Sequence, residues 1–171
     1  MKKLILLLGV LLFAKEVYFM PMQGDEAHKK LYSLFAHAHK SIHIAIYTFT
    51  DRKLARALKI AASRGVDVEI VADKKEAKYR LSQVPNLAKI KNIHIYLISG
   101  KRYYHSKNHA KMHAKVSIID NKHLVIGSAN YSYSAFYKNY EYIIFEKRWI
   151  KEFESFFNYL KENSTPYRLS Y

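Results

Sequence analysis

The chain predicts an α/β domain built on a mixed β-sheet with helices on both faces, and three observations carry that expectation. Short apolar runs with strand periodicity alternate with segments whose apolar residues recur at helical spacing. No linker, internal repeat or low-complexity run divides the 171 residues. Half of them are apolar, enough for one sizeable core.

Residues 16–20 read as a first strand, stopped by Pro21 and a Gln23-Gly24 turn. Asp25 stands where it would cap a helix in which Leu31, Leu34, Phe35 and Ala38 recur at helical spacing. Residues 41–48 form a strand with Ile42, Ile44 and Ile46 on one face. Thr50 or Asp51 caps the next helix, which turns Leu54, Leu58 and Ala61 inward, and Gly65 supplies the left-handed residue after it. A third strand covers 66–73. Residues 74–82 read as a charged, exposed helix and 86–91 as a short turn or helix. A strand at 93–98 leads into an irregular basic loop at 99–111. Two strands, 112–119 and 123–127, flank a tight turn at Asp120-Asn121-Lys122. After the last strand, 141–145, a closing helix from Trp149 turns Ile150, Phe153, Phe157 and Leu160 to the core.

The N-terminus stands apart from this pattern. Lys2 and Lys3 precede eleven apolar residues, Leu4 to Ala14, and then Lys15. A basic start and a short apolar run read as a secretory signal, and the run is below the roughly 20 residues a spanning helix needs. Leu12 stands where a cleavage site wants a small residue, so residues 1–15 are expected either to be removed or to stay as a short membrane anchor through residues 4–14. Both readings place residues 16–171, a single domain, in the periplasm or at a membrane facing out of the cytoplasm.

A formal charge of +15 points to a polyanionic partner, either nucleic acid or an anionic membrane. With no cysteine, disulfides, thiol catalysis and thiolate-bound zinc are excluded.

The chemistry concentrates between residues 113 and 141. His113 and Lys115 lie two apart at the head of an apolar run, so a strand would project both from one face. Gly127-Ser128-Ala129-Asn130 then follows the next strand. An imidazole beside a fixed cation, with hydroxyl and amide donors arriving from a neighbouring strand end, suits attack on a phosphate ester, whose developing charge needs preorganised donors. In that reading His113 is the nucleophile, Lys115 binds non-bridging oxygens as a point charge, and Ser128 and Asn130 complete the cradle. Asp120 is counted with this set, although turn chemistry slightly favours its bonding backbone groups and holding the hairpin. A carboxylate heading the apolar run Tyr142-Ile-Ile-Phe needs a partner, which makes Glu141 a candidate to hold a His113 imidazole.

The pattern H-x-K-x(4)-D followed by G-S-x-N closely resembles the phospholipase D superfamily, and a chain of this length with one motif resembles its small bacterial Nuc-type endonucleases. The segments at 44–50 and 61–70 extend that likeness over most of residues 17–160. The resemblance implies a phospholipase D-like α/β/α sandwich, a phosphohistidine intermediate, and no need for a metal or other cofactor. It places Glu141 at the family's downstream acidic position. Larger members carry two motifs in one chain, so a single motif implies a C2 homodimer in which two His113 side chains face across the axis. One would act as nucleophile and the other as general acid, then base.

His105, His109 and His113 recur every four residues, which on a helix would suit a metal. Asn108 and the strand starting near Met112 argue against a helix there, so no metal site is expected. Basic and aromatic residues flank the motif. Lys101, Arg102, Tyr103, Tyr104 and Lys107 precede it, and Tyr131, Tyr133 and Lys138 follow it. This interleaving suits a groove that neutralises phosphates and stacks exposed bases with little sequence preference. The leading expectation is an exported nuclease acting on DNA, with single strands favoured and RNA left open, in DNA uptake or scavenging. The alternative is a membrane-associated phospholipid phosphodiesterase, against which stands the lack of an apolar loop beside the motif. A non-catalytic DNA-binding module is disfavoured because the catalytic set is complete.

Overall fold

Apolar runs with a period of two become the inner strands of one eight-stranded sheet. The computed structural model describes residues 16–168; the expected signal or anchor segment lies outside them. In chain order the elements are β1 (Glu16–Met20), α1 (Gly24–Ala36), β2 (Ser41–Ile46), α2 (Arg52–Ser63), β3 (Asp67–Asp73), α3 (Val84–Leu87), β4 (Ile93–Ile98), β5 (Lys115–Ile119), β6 (His123–Gly127), α4 (Tyr133–Tyr137), β7 (Glu141–Glu146), α5 (Ile150–Glu162) and β8 (Thr165–Pro166). The strand order is β1-β7-β6-β5-β2-β3-β4-β8. Only β2, β3 and β4 run parallel; every other pairing is antiparallel. The sheet is therefore mixed, as expected.

Helices cover both faces. Ile42, Ile44 and Ile46 of β2 point to the side packed by α1, α2 and α4, where Leu31, Phe35, Leu54, Leu58 and Phe136 are buried. Ala45, Val71, Val116 and Ile118 point the other way, against Phe157 and Leu160 of α5. Asp51 caps α2 by accepting N–H bonds from Lys53 and Leu54 at 2.8 and 2.9 Å. Gly65 follows that helix at φ +90°, a conformation in which a side chain would be strained.

Four local expectations are corrected. Asp25 is not a cap: α1 begins at Gly24, and Asp25 sits in the first turn, paired with Lys29. Residues 74–82 form one tight turn at Glu76–Lys78 instead of a longer helix, with the Asp73 carboxylate accepting the N–H groups of Lys75 and Glu76 at its start. Proline at the start of α3 sets that short helix at Val84–Leu87, earlier than the expected 86–91. The 99–111 segment is a hairpin arm rather than an irregular loop. Gly100 N–H bonds the Ala110 carbonyl at 2.8 Å, Ala110 N–H bonds the Lys101 carbonyl at 2.9 Å, and Arg102 bridges His109.

Strand directions decide where the chemistry gathers. β2 is parallel to β3 and β4 and antiparallel to β5. The carboxyl ends of β2, β3, β4 and β6 and the amino ends of β5 and β7 therefore share one edge of the sheet. The Asp120 turn lies at the other edge.

Candidate active site

Lys115 opens β5, paired with Ile46, and is only 6% exposed. His113 precedes the strand and is exposed. The Lys115 ammonium donates to the His113 backbone carbonyl at 2.8 Å. The approach to His113 is held by a buried carboxylate. Asp73, at the end of β3 and 3% exposed, accepts the Met112 N–H at 3.0 Å, and Tyr47 N–H bonds the Ala114 carbonyl at 3.0 Å.

Tyr47 is the centre of the cluster. Its ring lies 4.7 Å from the His113 ring, and the ammonium groups of Lys111 and Lys115 each sit 5.2 Å from its centroid. Burial, then the charges of Lys115 and Lys111, push the His113 pKa down, against Glu141 and Asp73. The shift favours the neutral imidazole, the form a nucleophile needs. Burial also lowers Lys115 to about 8, against the pull of Glu141.

Gly127 ends β6 opposite Ile143. A Cβ there would stand 2.2 Å from the Tyr142 carbonyl oxygen, so only glycine fits this close approach. Ser128 donates its hydroxyl to the Glu141 carboxylate and accepts the Tyr142 N–H at 3.1 Å. The Asn130 side-chain carbonyl accepts the Thr48 N–H at 3.2 Å, tying the loop after β6 to the segment after β2.

His113, Lys115, Ser128, Asn130 and Glu141 thus share one edge of the sheet. Within the chain, however, no hydrogen bond joins Glu141 to His113 among the described residues. Its oxygens serve Ser128 and Asn139. Glu141 influences His113 and Lys115 through its charge alone.

Asp120 is corrected outright as a member of the site. It lies at the far end of β5, about 16 Å of strand from Lys115. There its carboxylate accepts the N–H groups of His39, Lys40 and Ser41. Burial alone would raise its pKa, but these bonds hold it below the usual carboxylate value. It is a clamp between the β5–β6 turn and the start of β2, with Asp120 and Asn121 both left-handed. Asp120→Ala is expected to lower stability by about 1–3 kcal/mol while leaving turnover within a few-fold well below Tm. Because the folded-state pKa is depressed, the stabilisation is present above the unfolded-state value near pH 4 and is lost as pH falls through the folded one. Thermal melts of both proteins down that range check it.

The flanking loops divide. Tyr131 is corrected as a stacking residue: it is 1% exposed, with its hydroxyl 2.5 Å from Ser117 Oγ. Tyr103, Tyr104 and Tyr133 are 57%, 90% and 63% exposed, and Lys138 is exposed too. Arg102 is also exposed, but its guanidinium donates to the Ser106 carbonyl at 2.6 Å within the hairpin.

Two grooves open beside the cluster. One, of about 490 Å³, is strongly basic: Tyr47, Lys74, Lys75, Lys78, Lys107 and Lys111 line it. The other, of about 510 Å³, adjoins His113 itself. Lys101 and Lys111 rim it, and Ile98, Met112, Phe156, Tyr159 and Leu160 give it an apolar wall. The sequence beside the motif offers no apolar loop, and the apolar wall comes instead from α5, whose aromatics arrive from about forty residues away in sequence. The 105–113 segment is not helical, and His105 has φ +53°, so the three histidines do not share a helix face. Among the described residues no cluster of three or more metal-binding side chains forms.

Sequence reasoning missed Tyr47 and Asp73. Asp73 carried a signal, since a carboxylate ending the apolar run 66–73 needs a buried partner just as Glu141 does. Tyr47 carried none beyond its place at the end of a strand.

Residues 31–161 match the family model described as cardiolipin synthase, PLD-like domain. The fold resembles NucT from Helicobacter pylori, 32% identical, with TM-score 0.87 over 91% of this chain and 99% of that one. It also resembles Nuc from Salmonella typhimurium, a phospholipase D family member, 27% identical, with TM-score 0.70 over the same shares. A mitochondrial cardiolipin hydrolase of Xenopus tropicalis is 28% identical over 120 residues, 70% of this chain and 53% of that protein. The chain spans about half the length of the curated relatives it matches.

Proposed function

The chain belongs to the phospholipase D superfamily, in its single-motif Nuc-type branch, and on that premise we propose that it is a phosphodiesterase that hydrolyses DNA without a metal. The observation that carries the choice of substrate is the lysine-lined groove beside Tyr47. All five of its lysines (74, 75, 78, 107 and 111) are exposed, in and around the cluster that contains His113, which suits a run of backbone phosphates. The exposed Tyr103 and Tyr104 offer stacking faces for unpaired bases, so single strands are favoured and sequence matters little.

The reaction runs in two displacements. A His113 ring nitrogen attacks phosphorus, a P–N bond forms and the P–O bond to the leaving nucleotide breaks. Lys115 bears on the non-bridging oxygens. Of the two imidazoles that meet across a two-fold axis, one is neutral and attacks. The other, His113 of a second copy of the chain, is protonated: it gives its proton to the leaving oxygen and, once neutral, takes one from the water that displaces the phosphoryl group. Glu141, which has no imidazole partner among the described residues of its own chain, is available to orient one across that axis. In this reading the protein is exported, held in the periplasm or at a membrane by residues 4–14, and meets DNA being taken up or scavenged.

A second reading, hydrolysis of an anionic phospholipid, is favoured by the apolar groove against His113 and by the cardiolipin hydrolase likeness. One assay separates the two. The protein is expected to cut single-stranded DNA in excess EDTA, faster than duplex, and to leave cardiolipin vesicles intact. Lipid turnover without DNA cutting would reverse the assignment, and loss of DNA cutting in EDTA would remove the metal-free route.

A further inference from the structure

The α2 side of the active-site edge carries a second cationic feature that the reaction does not use. Arg52, Arg56 and Lys59 lie at i, i+4 and i+7 on α2, three cations along about 10 Å of helix. Across a cleft of about 410 Å³, Arg80 closes the far wall beside the polar Gln83 and Asn86. Both Arg56 and Arg80 are exposed. Among the described residues none of these four cations has a carboxylate within ion-pair distance. Three of the chain's seven arginines therefore converge on one cleft. Guanidinium groups, with their planar pairs of donors, suit phosphodiester oxygens better than ammonium groups do.

The cleft does not stand alone. Arg52 and Leu81 also line a neighbouring pocket of about 440 Å³ whose other wall is Tyr133 and Tyr137, with ring centroids 4.9 Å apart. The one carboxylate in that pocket, Asp51, is already engaged by the α2 amides and by His28 at 2.9 Å. Pocket and catalytic edge share a loop. Asn130 binds the Thr48 N–H, the Tyr131 carbonyl accepts the N–H groups of Thr50 and Asp51, and Tyr133 follows directly.

We infer that the arginine cleft and the tyrosine pocket form a second strand-holding site. The cleft takes backbone phosphates of a single-stranded nucleic acid, and the pocket takes a base of the same strand between the cleft and the scissile diester. The site rests on the nuclease reading and extends it to the part of the substrate away from the bond being cut. Cations alone would serve a lipid headgroup equally. Paired aromatic rings at one end, polar walls at the other and no apolar slot for acyl chains in the cleft favour a strand.

The test compares Arg56→Ser/Arg80→Ser with Arg56→Lys/Arg80→Lys. Binding of a fluorescent single strand long enough to span both sites is titrated over a salt series in the His113→Ala background. The serine pair is expected to weaken binding and to flatten the slope of log K against log salt by about 1.4, or about 0.7 for each lost phosphate contact. The lysine pair keeps the slope. With His113 present, the ratio of kcat/KM for that strand to kcat/KM for bis(4-nitrophenyl) phosphate is expected to fall about tenfold in the serine pair. A serine pair with the parental slope and ratio overturns the second site alone. If the parent neither binds nor cuts the strand, the nuclease reading fails and the site with it. Loss of binding to phosphatidylglycerol vesicles, with strand binding intact, overturns the inference in favour of a lipid surface.

Discussion

Alanine in place of His113 is expected to lower phosphodiester hydrolysis by about 10,000-fold or more at pH 7, the scale on which removal of a nucleophile acts. Stability should barely change. The side chain is exposed and its described contact is the Tyr47 ring, so Tm should stay within a degree or two of the parent. The same variant tests the shared site. When parent and His113→Ala protein are mixed and allowed to exchange subunits, only dimers carrying two imidazoles complete both displacements. Activity should then follow the square of the parental fraction. A linear dependence would mean that each chain works alone, and the second-copy imidazole would have to be abandoned. Rapid acid-free quenching of the parent on a phosphorus-labelled substrate should trap label on His113, and label elsewhere would move the nucleophile.

What the sequence made legible follows from which interactions are local. The β5–β6 hairpin, the capped α2 and the alternation of β2 rest on periodicity and on turn and cap chemistry within a few residues, and the structure keeps all three. His113 beside Lys115 is likewise a short-range statement, since residues two apart on extended chain project from one face, and both side chains lie against the Tyr47 ring. What the sequence hid depends on distant partners. Tyr131 sits among exposed tyrosines in a basic stretch, yet Ser117 satisfies its hydroxyl inside the core, and burial pushes its pKa well up. The turn at 76–78 stays short, and the chain after it is tied to a distant partner, the Gln83 N–H bonding the Phe49 carbonyl at 2.8 Å. Phe156 and Tyr159 reach the His113 groove only because α5 packs across β2 and β5. Asp120 shows the opposite case. Its place in the motif suggests catalysis, while its turn position indicates a clamp, and the clamp is what the geometry supports.

Methionine in place of Lys115 is expected to abolish most activity and yet to stabilise the fold at neutral pH. An ammonium that is 6% exposed and whose pKa falls from 10.5 to about 8 has its charged form disfavoured by about 3 kcal/mol. The folded state tolerates that because the charge meets the His113 carbonyl and the Tyr47 ring, and it becomes useful when a phosphate arrives. Removing the charge should reduce kcat/KM by about a thousandfold, through lost stabilisation of the equatorial oxygens. The unfolded chain binds the Lys115 proton up to about pH 10.5 and the folded chain only to about pH 8. Between those values the unfolded state holds more protons, so parental stability rises with pH. Below pH 8 the parent carries the full penalty, and Lys115→Met should melt a few degrees higher. The difference should narrow from pH 8 upward and close near pH 10.5. Activity of the parent follows the same groups in the opposite sense. It should fall above about pH 8 as Lys115 loses its charge, and fall on the acid side as the nucleophilic His113 is protonated, at a pH below the ordinary imidazole value. Melts from pH 6 to 11 with a pH–rate profile decide it. A Lys115→Met protein less stable than the parent at pH 7, with no alkaline limb near 8 in the parent, would show that the ammonium serves the fold rather than the phosphate.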